Sequence, residues 1–112
     1  MMTTTEYPAK TCELDRLVTQ PKLIAMAISS DKTQQRRNGI YGYPGERFKL
    51  DGIDFEITNV SRQMLGDMTE ADAKAEGFKS LSDYQQLILR MHPGMQWQPD
   101  KKVWLHQFHR ID

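Results

Sequence analysis

The spacing of apolar positions changes several times along the chain, and each change predicts an element. "LDRLV", residues 14–18, reads as a short strand. From Pro21 the apolar residues Leu23, Ile24, Ala27 and Ile28 recur at the spacing of one helical face, which predicts a helix over 21–30. Thr19 is its expected N-cap, and Pro21 falls in the first turn, where a missing N–H costs nothing. "RFKL" and "IDFEITNV" then alternate apolar and polar residues across Asp51-Gly52, a two-residue hairpin signature. Ile53, Phe55 and Ile57 share one face, and Asp54, Glu56 and Thr58 the other, so one side of this strand is wet. The helical period returns in "MTEADAKAEGF", with Thr69 to cap it, acids in its first turn and Gly77 to end it. A second helix in "SLSDYQQLILRMHPG" aligns Leu81, Tyr84, Leu87, Ile88 and Met91 between a serine cap and Pro93-Gly94. "KKVWLHQFHRI" is a closing strand, with Trp104 and Phe108 on one face. The order implies an α+β chain, mainly β: a small curled antiparallel sheet with helices at its rim. Ile53, Phe55, Ile57, Leu87, Val103 and Leu105 are its expected core.

Size and charge narrow the function classes. The 112 residues suit one domain with one core, read as a flexible N-terminus over 1–12 and a single domain over 13–112. Lys+Arg and Asp+Glu are 15 each, so nothing in the overall charge grips duplex nucleic acid, and an anion must be met by a local patch. The single cysteine, Cys12, excludes an internal disulfide framework. His106 and His109 point to opposite faces of a strand, and no Cys or His spacing suits a metal, so neither metal nor cofactor is expected. No apolar run suggests a signal peptide or a membrane span, which points to a cytoplasmic protein.

The candidate chemistry begins at "SDKTQQRR", residues 30–37. In an extended chain Thr33, Gln35 and Arg37 share one face and Gln34 and Arg36 the other, with Lys32 at the entrance. A guanidinium fork, an amide with donor and acceptor, and an ammonium together suit a phosphate, a carboxylate or a base edge. A structural reason for the same cations is the partial negative charge of a helix C-terminus. Glu76 stands near a helix end, where the dipole disfavours an acid, and Lys32 is a candidate partner. Tyr41 and Tyr43 follow in a Gly-rich loop, and Trp97 lies in "MQWQPD". Loop aromatics beside cations are what base stacking requires, although large aromatics also serve as satellite core.

"SSDKTQQRR", "YPGERFKLDG", "MTEADAKAEGFKSLSDYQQLILRMHPG" and "VWLHQFHRI" together resemble an ASCH domain, of the PUA-like superfamily, from about Leu14 to the end. The signature Gly-x-Lys-x-x-Glu-x-Arg falls on Ser30, Lys32, Gln35 and Arg37, with Lys and Arg matched and the glycine and acid replaced. The resemblance implies a PUA-like curled antiparallel β-barrel and a cleft for RNA, a nucleotide or a modified nucleoside. The implied ligand-binding residues are Lys32, Gln35, Arg36, Arg37, Tyr43, Glu76 and Trp97. Similar small amidohydrolases act on N4-acylated cytidine through a Lys, a Thr and a Glu. These fall on Lys32, Gln35 and Glu76, and an amide has no hydroxyl to serve as nucleophile. Thr33 lies two residues earlier, a displacement of about 6 to 7 Å along a strand. If it is an enzyme, the expected catalytic residues are Lys32, Thr33 and Glu76 for an amidohydrolase, with Thr33 reaching only after rearrangement. A ribonuclease would draw its acid–base pair from Lys32 with Glu76 or a histidine. A third alternative is a protein-interaction module with a vestigial cleft. Gln35 favours binding over hydrolysis, and the site requires Lys32 and Glu76 to approach within about 3 to 6 Å.

Overall fold

The computed structural model describes residues 7–111. Its organising element is a twelve-residue strand, Ile53–Met64 (β3), flanked on one side by Arg47–Leu50 (β2) and on the other by Lys102–Arg110 (β4). Gln34–Arg37 (β1) is the outer neighbour of β4, so the sheet order is β1-β4-β3-β2, antiparallel throughout. The Asp51-Gly52 turn joins β2 to β3 with φ of 50° and 82°, the left-handed pair that a type I′ hairpin demands. A register shift between Ile57 and Asn59 locally disrupts the long β3–β4 ladder. The result is a curled, four-stranded half-barrel in the α+β class.

Three helices pack beside it: Pro21–Ile28 (α1), Glu70–Glu76 (α2) and Leu81–Met91 (α3). The first helix starts at Pro21 as expected, with Gln20 rather than Thr19 at the N-cap, and ends at Ile28 rather than at residue 30. The second has a capping box, Thr69 Oγ1 accepting from Asp72 N–H while Asp72 Oδ2 accepts from Thr69 N–H. Gly77 ends it at φ 108°. A Cβ there would lie 3.0 Å from Leu23 of α1, so glycine serves both the left-handed turn and the close approach.

The expected strand at Leu14–Val18 is a 3₁₀ turn over Leu14–Arg16. Leu14, Leu17 and Val18 also satisfy the i, i+3, i+4 spacing, and the Leu17 N–H bonds back to Leu14 O instead of to a neighbouring strand. Leu17 and Val18 enter the main core with Ile40, Phe55, Ile57 and Phe108. A second core, under α2 and α3, joins Leu65, Met68, Ala73, Tyr84 and Val103. Phe55, Ile57, Val103 and Leu105 are buried as expected, whereas Ile53 beside the hairpin and Leu87 on α3 are only half-buried. Of the N-terminal segment, residues 1–6 lie outside the described ones. Tyr7 is seated on the sheet through a 3.0 Å bond to Val60 O, and Lys10 bridges to Ile40. No helix among the described residues is long and apolar enough to cross a membrane.

Candidate functional site

The turn after α1 sets the site. Ser30 takes φ 68°, and the N–H groups of Asp31 and Lys32 both reach back to Met26 O. Thr33 then ties two elements together, donating its N–H to Ala75 O of α2 and accepting from Phe108 N–H of β4. The resemblance expects glycine at Ser30, and glycine adopts this left-handed backbone without strain.

Lys32 is consequently driven inward and is 1 % exposed. Its Nζ donates to Gln34 O at 2.6 Å and Glu76 O at 2.7 Å, and lies 3.4 Å from Glu76 Oε1. Burial pushes its ammonium below the ordinary lysine range, partly offset by the Glu76 charge. Arg36 reaches the same carboxylate from β1, NH1 to Glu76 Oε2 at 2.9 Å, with Nε donating to Gln63 Oε1 at 2.8 Å. Its NH2 stands 3.5 Å from Asp72 Oδ1, and Gln34 Nε2 bonds the same oxygen at 3.3 Å. Burial raises the Asp72 carboxyl, but the Thr69 N–H and the Arg36 charge outweigh it, holding it below its usual range. Two cations and two carboxylates thus form one compact, charge-neutral cluster.

Beside this cluster opens a cavity of about 560 Å³, the size of an ordinary small-molecule site. Its β1 wall carries Gln35, Arg36 and Arg37, with Glu76 and Tyr41 adjoining. Its other wall comes from α3, through Tyr84, Leu87, Ile88 and Met91. Burial, and next the Glu76 charge, push the Tyr84 phenol well above its ordinary range, so it stays a neutral hydroxyl. Arg37 donates Nε and NH2 to Leu17 O at 3.2 and 2.7 Å, with its guanidinium 5.3 Å from the Tyr41 ring. His106, fully buried behind β1, accepts from Tyr41 N–H at Nε2 and faces Gln35 O at 3.3 Å through Nδ1, which defines the neutral Nδ1–H tautomer. Burial lowers its imidazolium range accordingly.

The structure sorts the residues singled out from the sequence into three places. Gln35, Arg36, Arg37 and Glu76 border the cavity, and Lys32 lies in the sealed cluster behind it. Thr33, just before β1, has its backbone bonded to α2 and β4 but is not on the cavity wall. Tyr43 and Trp97 are packing residues: Tyr43 stacks obliquely on Tyr7 and bonds Pro8 O, and Trp97 meets Tyr84 edge-on at 6.4 Å. Tyr41, two residues before Tyr43, is the loop tyrosine that reaches the cavity. The α3 stripe and Lys101 also line the cavity; the sequence predicts the alignment of the stripe but neither its place nor that of Lys101 on the wall. No group of three or more His, Cys, Asp or Glu among the described residues is arranged to hold a metal.

No family model matches the chain, and no curated protein matches it. Among solved structures it is similar to an ASCH domain from Lactobacillus crispatus JV V101, with 19 % identity and a TM-score of 0.63, covering 79 % of this chain and 69 % of that one. It is also similar to a protein from Enterococcus faecalis V583 described by the family model DUF984, with 17 % identity and a TM-score of 0.62, covering 81 % and 68 %. These likenesses agree with the curled antiparallel sheet, and the chain has the fold of an ASCH domain.

Proposed function

We propose that this chain is an ASCH-type binding domain whose cavity takes a nucleoside or nucleotide, free or at the end of a single RNA strand. The observation that carries the reading is the hydrogen-bonding state of the β1 wall. Gln35 Oε1, on the cavity face of β1, is buried and has no hydrogen-bond partner among the described residues. A buried acceptor left this way usually awaits a donor from a ligand or water, such as the amino group on a base edge. Tyr41 supplies an aromatic surface for the same ring. The volume suits one nucleotide and no duplex.

Hydrolysis of an N4-acylated cytidine is the second reading, favoured by the approach of Lys32 Nζ to Glu76 Oε1 at 3.4 Å. Against it, Lys32 Nζ is saturated by three acceptors, and Gln35 stands where that chemistry needs a hydroxyl. Thermal unfolding with a panel of nucleosides, nucleotides and short RNAs separates the readings. Binding raises the midpoint, and Gln35→Leu weakens it by about tenfold, without release of acetate from N4-acetylcytidine. A panel that leaves the midpoint unmoved at millimolar concentration refutes the binding reading.

A further inference from the structure

The charges bordering the cavity do not cancel. Glu76 is matched by both Lys32 and Arg36. Arg37 and Lys101 also line the cavity, and no carboxylate among the described residues lies within ion-pair distance of either. Arg37 is held by the carbonyl oxygens of Arg16 and Leu17, which orient a guanidinium without neutralising it, and its NH1 makes no hydrogen bond among the described residues. A fixed guanidinium on a concave wall, uncompensated in charge and with NH1 left over, is prearranged for an anion.

The α3 wall has the opposite character. Tyr84, Leu87, Ile88 and Met91 occupy one face at i, i+3, i+4 and i+7, yet only Tyr84 is buried, and Met91 is 52 % exposed. Leu65 and Val103 continue this surface into the cavity. The apolar face that would ordinarily close onto a core is here left open to the cavity that Arg37 borders.

We infer that the ligand is an amphipathic anion, with a phosphate or carboxylate on Arg37 and Lys101 and an apolar substituent against Leu87, Ile88 and Met91. The inference rests on the nucleoside reading and gives it a class: a nucleoside monophosphate carrying an apolar group on its base, in preference to a bare nucleoside. Calorimetric titration with adenosine, adenosine monophosphate, N6-benzyladenosine, its monophosphate and benzyl phosphate tests it. The benzylated monophosphate binds about tenfold tighter than either singly modified compound. Arg37→Gln removes the gain from the phosphate and keeps the gain from the benzyl group. Met91→Glu, at a position exposed enough to leave folding intact, does the reverse. Equal affinity for the four nucleoside probes overturns the inference and leaves the nucleoside reading standing. Benzyl phosphate binding that depends on Arg37 and Met91, with no nucleoside bound, overturns the nucleoside reading and keeps the amphipathic anion. Silence from all five overturns both.

Discussion

The two faces of β1 carry the same side chains, one glutamine and one arginine each, in different surroundings. Gln34 and Arg36 turn toward α2, where Arg36 is 5 % exposed and Glu76, Asp72 and Gln63 receive it. Gln35 and Arg37 turn toward the turn after Arg16 and the cavity, half-buried, with only backbone carbonyls and an aromatic ring around the guanidinium. Chemistry alone does not separate a structural arginine from a ligand-binding one. The separation comes from counter-charge: a matched guanidinium holds the fold together, and an unmatched one on a cavity wall is available.

Glu76→Gln strains this contrast most. It leaves Lys32 and Arg36 buried beside each other with no full charge between them, and removing one partner of such a cluster costs about 3–5 kcal/mol. Urea unfolding measures the loss, and a variant as stable as the parent would show that the cluster does not bear on folding. Arg37→Gln, on the other face, costs only about 1 kcal/mol in the same assay, because it gives up hydrogen bonds to two carbonyls and no ion pair.

Acid probes the layer behind β1. The folded state keeps His106 neutral, its range depressed below the ordinary 6.5 by burial. The unfolded chain therefore binds the extra proton first. Stability is full above pH 6.5 and falls as pH drops below it, by at most about 1.4 kcal/mol per pH unit, levelling once the folded histidine also titrates. Asp72, depressed from 3.8, adds its loss only near that value and below. In unfolding titrations from pH 8 to 5, His106→Gln flattens the dependence, and an unchanged slope would assign it elsewhere.

The smallest effect expected is a gain. Ser30 holds φ 68°, so Ser30→Gly relieves a left-handed residue and stabilises the domain by up to about 1 kcal/mol, read as a higher urea midpoint. A loss would mean that the serine side chain compensates the strain.

Local features were legible in the sequence because local chemistry dictates them. Asp51-Gly52 can form a tight primed turn, and Thr69 with Asp72 and Gly77 brackets α2 at both ends. The long-range choices were not. Which face of β1 meets α2 depends on its register against β4, Gln35 opposite His106, and nothing within "TQQRR" expresses that pairing. Nothing in the sequence therefore separates Arg36 from Arg37, and the structure brings Arg36 to the Lys32–Glu76 pair. Tyr43 and Trp97 were equally ambiguous, since an aromatic's neighbours, here Tyr7 and Tyr84, come from distant segments. Leu14–Val18 satisfied both a strand and a helical spacing, and only the absence of a pairing partner decides for the turn.

A crystal structure grown with N6-benzyladenosine monophosphate tests the division between the two faces most directly. The account predicts phosphate oxygens within hydrogen-bond distance of Arg37, at about 2.7 to 2.9 Å, the benzyl group against Leu87, Ile88 and Met91, and the Lys32–Arg36–Glu76 cluster unmoved. A ligand seated elsewhere, or one that enters only by breaking the Arg36–Glu76 pair, would contradict it.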